Sequence, residues 1–214
     1  MAGWDDRDLL PTNIVEDFTA WQMDIPLISG LEITRWTATP ETRAAAPVLH
    51  MFSDASPEAF GVSGYVRREA PDGTVHVAIV CAKAHVVPLK DAVAGHHESV
   101  PRLELQAARL SARMRAGIER ESGGFERIVM WTDSECVIKQ LHDVVTRFKV
   151  YFANRLSEIQ ALTKVDEWRY VPSADNPADD CTIARLQRRI QIGGVFTVVR
   201  TFSGRRRNIG RTRW

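Results

Sequence analysis

The feature that most constrains this chain is a repeated change of hydrophobic period through its middle. Val48-Leu49-His50-Met51-Phe52 is a short apolar run ending at Asp54, and Ala59 to Arg67 and Val75 to Ala84 follow it, with Pro71-Asp72-Gly73 as turn residues between them. Three consecutive strands are predicted, the last two joined as a hairpin. The period then changes. Leu103, Ala107, Leu110, Met114 and Ile118 step by four, three, four and four residues, which puts them on one face of a helix. Ser99 is placed to cap that helix, and Pro101 suits its first turn. Arg127 to Trp131 is a further apolar strand, ending at Thr132-Asp133-Ser134. Cys136 to Val145 and Phe148 to Leu162 read as helices, and Trp168 to Val171 as one more strand. Asn176-Pro177-Ala178-Asp179 has a cap residue, a proline for the first helical position and an acid for the first turn, so a last helix is expected there. Three strands, helix, strand, helices, strand, helix is the order of a mixed α/β sheet with helices packed on it.

Three segments follow from composition. Residues 1–46 form a connecting tether: Thr12 is a plausible cap, Ile14, Phe18 and Trp21 have helical spacing before Pro26, and Thr37 to Pro47 reads as a linker. Residues 47–190 hold the main domain, and 191–214 a basic tail, disordered or non-native. The formal net charge of +1 conceals this division. Nine of the 28 basic residues, all arginines, and none of the 27 acidic ones lie from Cys181 onward. Such a tail suits phosphate neutralisation or an acidic partner, or is sequence read out of frame. Cys81, Cys136 and Cys181 are far apart, which favours neither a zinc site nor a disulfide framework. No signal peptide or membrane span is visible, so an intracellular setting is expected, with cytoplasmic particle and nucleus not distinguished.

Four acids stand where the predicted elements could gather them: Asp54 at the end of the first strand, Glu104 on the long helix, Asp133 at the end of the fourth strand, and Asp179 at the start of the last helix. Singly, each has an ordinary structural explanation, as a turn former or as an offset to a helix dipole. Their surroundings carry more. Phe52-Ser53-Asp54-Ala55-Ser56, Val80-Cys81-Ala82-Lys83, Pro88-Leu89-Lys90, Pro101-Arg102-Leu103-Glu104-Leu105, Trp131-Thr132-Asp133-Ser134, Phe152-Ala153-Asn154-Arg155 and Asn176-Pro177-Ala178-Asp179 occur in an order that resembles the ribonuclease H-like segment of BEL/Pao retrotransposon polyproteins. The preceding stretch with Trp21 and Asp24-Ile25-Pro26-Leu27 is similar as well, so the resemblance runs over roughly residues 4 to 180.

The resemblance implies a ribonuclease H-like mixed five-stranded sheet with flanking helices. It also implies that Asp54, Glu104, Asp133 and Asp179 bind two Mg²⁺ or Mn²⁺ ions. Asp54 would bridge both, Glu104 and Asp133 would complete the first, and Asp179 the second. Hard cations prefer such oxygen donors, and two ions about 4 Å apart serve phosphodiester hydrolysis. The implied reaction is cleavage of the RNA strand of an RNA/DNA hybrid during reverse transcription. The implied partners are that hybrid and the reverse transcriptase and integrase portions of a parent polyprotein, to which any DNA integration would belong; no membrane partner is expected. Ser53 and Ser134 flank acids and are candidates to support them. Lys83, Lys90, Arg102 and Arg155 are candidate phosphate contacts.

Two departures stand out. Many cellular ribonucleases H have a histidine ahead of the last aspartate, and Val171-Pro172-Ser173-Ala174-Asp175 has none. After Asp179 the family continues with a Leu-Ala-Ser-Arg-Gly-like helix, whereas this chain reads Asp180-Cys181-Thr182-Ile183-Ala184-Arg185; a malformed helix would misplace Asp179, with Asp180 a fallback some 100° around. His96-His97-Glu98 has no third partner for a transition metal and reads as a solvated loop, and His142 as a surface residue. The alternatives are a catalytically dead nucleic-acid-binding or structural remnant of the element and, less favoured, an aspartic peptidase. The peptidase requires Asp-Thr/Ser-Gly, but Asp54-Ala55-Ser56 and Asp133-Ser134-Glu135 do not supply it.

Overall fold

The computed structural model describes residues 11–28, 37–87, 99–143 and 145–182. Helix α1 (Thr12–Ile28) precedes strands β1 (Val48–Ala55), β2 (Ala59–Glu69) and β3 (Val75–Val86). Helix α2 (Val100–Ser122), strand β4 (Arg127–Thr132), helices α3 (Glu135–His142) and α4 (Val150–Leu162) and strand β5 (Trp168–Tyr170) follow. The strands form one five-stranded sheet, as expected, and its order is β3-β2-β1-β4-β5. β2 is antiparallel to both β1 and β3, whereas β4 is parallel to β1 and β5 to β4.

β1 is the middle strand and is buried on both faces, which is why it reads as a continuous apolar run rather than an alternating one. On one face Leu49, Met51, Val62 and Met130 pack against Leu105, Ala108 and Ala112 of α2, Val137 and Leu141 of α3, and Leu156 and Ile159 of α4. On the other, Phe52, Tyr65, Val129 and Trp131 pack with Val171 and Ala178, from the chain after β5. Burying each large side chain of this kind contributes about 1.5–3 kcal/mol. Trp131 also donates from Nε1 to His50 Nδ1 at 3.1 Å, and burial pushes His50 down to about 3, keeping it neutral as an acceptor.

Four local expectations need correction. α1 runs through Pro26 rather than stopping before it. Ser99 occupies the N-cap of α2 but makes no side-chain cap bond; its carbonyl accepts from Arg102 and Leu103 instead. α3 ends at His142, three residues short of Val145, and the Asp143 side chain accepts from the backbone N–H groups of Val145 and Thr146. That local turn competes with another turn of helix. Where a helix is expected from Asn176, the described chain makes a single 3-10 turn over Asp179–Cys181. Asn176 does cap this turn as expected, its Oδ1 accepting from the Ala178 N–H, while its Nδ2 donates to the Ser53 carbonyl at 3.1 Å. The basic tail, Lys90 and His96-His97-Glu98 lie outside the described residues. Among the described residues, no helix is long and apolar enough to cross a membrane.

Candidate active site

Strand register brings the first two acids together. Ser53 of β1 pairs with Thr132 of β4, and the next residue on each chain is Asp54 and Asp133. Adjacent strands are about 4.8 Å apart, so these carboxylates leave neighbouring parallel strands side by side at their C-terminal ends. In open α/β sheets this is where ligands collect.

Asp54 is buried, 8% exposed. Burial pushes its carboxyl up from 3.8 to about 6; the Thr182 hydroxyl works against that shift, and the charges of Asp133 and Asp179 add to it. The 3-10 turn therefore carries Asp179 to within electrostatic reach of Asp54. Asp180 is exposed, and its charge falls on Tyr65 and Cys181 instead.

The acids are held by hydroxyls. Thr182 donates to Asp54 Oδ2, and the same hydroxyl lies 3.1 Å from the Asp179 carbonyl. Ser173 donates to Asp133 Oδ2 at 2.6 Å. Ser134 donates to Glu104 Oε2 at 2.6 Å while accepting from the Val137 N–H, so one side chain both caps α3 and secures Glu104. Neutral donors suit this place, because they stabilise carboxylates without requiring buried cations. Ser53 differs. Its hydroxyl donates to the Trp131 carbonyl at 3.1 Å and reaches no acid.

The segment after Asp179 is seated tightly despite its unusual sequence. Ser56 donates to the Thr182 carbonyl at 2.9 Å, and Thr182 is 1% exposed. A Cβ on Gly61 would come within 2.5 Å of the Cys181 Cβ, so only glycine admits this approach to β2. Thr182 and Ser173 are the two hydroxyl partners of the candidate acids that the sequence did not single out. Thr182, three residues after Asp179, shares its side of a helical turn and could have been suspected; nothing local marks Ser173, which meets Asp133 only through the β4–β5 pairing.

The candidate phosphate contacts are distributed unevenly. Lys83 is exposed on edge strand β3, paired with Val62 and so two strands from Ser53. Arg102 and Arg155 both stack on Tyr151, with guanidinium carbons 4.5 and 3.5 Å from the ring centroid. His142 is exposed at the end of α3, as expected.

The donor chemistry suits a hard divalent cation: carboxylate oxygens, one of them buried, at a single end of the sheet. The arrangement is open, because among the described residues no three His, Cys, Asp or Glu side chains converge closely enough to hold one ion between them.

The family described as the Pao retrotransposon-like RNaseH-like domain matches residues 1–134. The chain belongs to this family. The matched span of the Pao-type domain includes Asp54, Glu104 and Asp133 and stops ahead of Asp179. Among solved structures, the domain is similar to RNase H1 of Halobacterium salinarum NRC-1, at 17% identity over 63% of this chain and 92% of that one, with a TM-score of 0.39. It is also similar to LC11-RNase H1 in complex with an RNA/DNA hybrid, at 10% identity over 63% and 92%, TM-score 0.41. A foamy viral protease-reverse transcriptase in complex with dsDNA is similar at 11% identity over 79% of this chain and 31% of that one, TM-score 0.40. No curated protein matches the chain.

Proposed function

We propose that this Pao-type domain is a metal-dependent ribonuclease H that cuts the RNA strand of an RNA/DNA hybrid during reverse transcription of its element. The observation that carries the reading is the buried Asp54 carboxyl, raised to about 6 beside Asp133 and Asp179 at the C-terminal end of the sheet. Strong perturbation by burial and like charge is characteristic of a functional carboxylate.

Asp54, Glu104, Asp133 and Asp179 would hold two Mg²⁺ or Mn²⁺ ions. Bound there, such ions supply an activated water and stabilise the departing oxygen. Asp54 is the shared member, since it faces acids from both β4 and the 3-10 turn. Ser134, Ser173 and Thr182 orient Glu104, Asp133 and Asp54, so the acids need little reorganisation when substrate arrives. A duplex read across its wide minor groove by its 2′-hydroxyls accounts for the choice of RNA. The partners are the hybrid and the polymerase and integrase portions of the parent polyprotein, in an intracellular setting.

Purified chain incubated with labelled hybrid in Mg²⁺ or Mn²⁺ tests this, with Asp54→Asn and Asp133→Asn alongside. Cutting of the RNA strand alone, abolished by either substitution, is the expected result. A second reading, a nucleic-acid-binding remnant without activity, is favoured by the open arrangement of the acids. A folded chain that binds hybrid and never cuts it would establish that reading instead.

A further inference from the structure

The seam between α2 and α4 changes character along its length. Arg102, Gln106, Arg109 and Arg113 recur at steps of four, three and four and so share one face of α2, opposite Tyr151, Arg155 and Glu158 of α4. In the lower seam the arginines have carboxylate partners. Arg109 Nε donates to Glu158 Oε2 at 2.6 Å, Arg113 pairs with the same carboxylate, and Arg115 meets Glu119 at 2.8 Å and Glu167 at 3.1 Å.

At the upper end there is a ring instead. Arg102 and Arg155 both stack on Tyr151, whose hydroxyl accepts from Gln106 at 3.2 Å. Arg155 Nη1 donates to the Tyr151 carbonyl at 3.1 Å, and its Nε is buried without a partner. Among the described residues no carboxylate pairs with either guanidinium. Two cations gathered on one aromatic ring repel each other, and the cation–π attraction opposes that repulsion. An external anion would complete the arrangement.

Its location indicates which anion. Arg102 is two residues before Glu104, about 3 Å along the helix axis and about 200° around it, so the two share an end of α2 rather than a face, and Glu104 is bonded to Ser134 immediately after Asp133. The guanidiniums thus stand at the N-terminal ends of α2 and α4, at the same end of the fold as the acids. A polyanion long enough to pass from the acids around the N-terminal end of α2 would reach them.

We infer that Arg102, Tyr151 and Arg155 form a docking site for the phosphodiester backbone of the bound nucleic acid, with the tyrosine ring setting the spacing of the two guanidiniums. Arginine's planar fork suits phosphate oxygens, and its weak hydration suits stacking. This inference rests on the proposed ribonuclease reading.

The test is fluorescence anisotropy of labelled RNA/DNA hybrid with the full chain in EDTA, so that nothing is cut, from about 50 to 200 mM salt, the range over which phosphate contacts show themselves. Wild type is compared with Arg102→Gln, Arg155→Gln, the double variant, Arg113→Gln as a paired control, and the double Arg→Lys variant; thermal melting verifies folding. Each Arg→Gln change is expected to weaken binding several-fold and to lower the slope of log affinity against log salt by about one. Arg113→Gln should match wild type, and the Lys pair should keep most of the slope at reduced affinity. A folded double Gln variant with the wild-type slope overturns the inference. Should that variant fail to fold, the exposed Arg102→Gln alone decides by the same criterion. Wild type that cuts hybrid while the slope is insensitive to these arginines sinks the inference and leaves the ribonuclease reading standing; wild type that neither binds nor cuts hybrid sinks both.

Discussion

Asp54 is subject to opposing influences that can be separated by measurement. Burial and two neighbouring acids raise its carboxyl from 3.8 to about 6, and Thr182 restrains the rise. A folded-state value above the unfolded one means that the folded chain holds the proton more tightly. The stability this group contributes is therefore fully present below about pH 4 and lost as pH rises through about 6. Discounted for solvent at the mouth of the site, the loss is about 1–2 kcal/mol. Melting curves at pH 4.5 and 7.5 should show a larger fall for wild type than for Asp54→Asn, and millimolar Mn²⁺ at pH 7.5 should raise the melting temperature of wild type only. Equal pH dependence in the two proteins would contradict the assignment. Thr182→Val removes the restraining hydroxyl at nearly constant shape. It should move the Asp54 carboxyl above about 6 in an NMR titration and lower metal affinity, while Thr182→Ser restores both; an unchanged titration would show that the hydroxyl does not act on Asp54.

Among the elements, the short 3-10 turn has the largest consequences for its size. Asp179–Cys181 is only three residues long, yet it carries the fourth acid and places Thr182 against Asp54. Its seat on β2 depends on Gly61, where an added methyl would overlap Cys181. Gly61→Ala should displace the turn and cost about 1–3 kcal/mol by overpacking. Hydrolysis should fall more than binding of hybrid, since the arginines of the α2–α4 seam lie on other elements; a variant with wild-type turnover would show that the turn has room to adjust. The unusual Asp180-Cys181-Thr182 run, which raised the prospect of a malformed helix, thus makes a tight turn whose hydroxyl holds Asp54 and whose thiol lies against the Val62 carbonyl of β2.

At the level of the whole molecule, the sheet holds the acids in place and the helices hold the sheet. Leu105 is fully buried on α2, next in sequence to Glu104, within the cluster that joins β1, β4 and the three helices behind them. Leu105→Ala should cost about 2–5 kcal/mol in urea denaturation. Well below its melting temperature, cleavage should be nearly intact, because Glu104 is held independently through Ser134. A large loss of activity in the folded variant would show that helix packing, rather than that bond, sets the Glu104 geometry.

The sequence alone determined the elements whose signal is local. The switch between apolar runs and a helical period located five strands and the long helix, because burial on one or two faces imposes its own spacing on a chain. Asp54 and Asp133 were legible as strand-end acids, and the ordered motifs around them indicated the family. Tertiary structure alone decided what those acids touch. A 3-10 turn stands where a helix start was expected, and Asn176, which caps it, also donates to the Ser53 carbonyl, 123 positions away in the chain. Ser173 reaches Asp133, and Thr182 reaches Asp54, across separations of 40 and 128 residues. Hydrogen bonds between segments so far apart leave no periodic trace in sequence, since the register of the sheet, rather than any local pattern, brings their partners together.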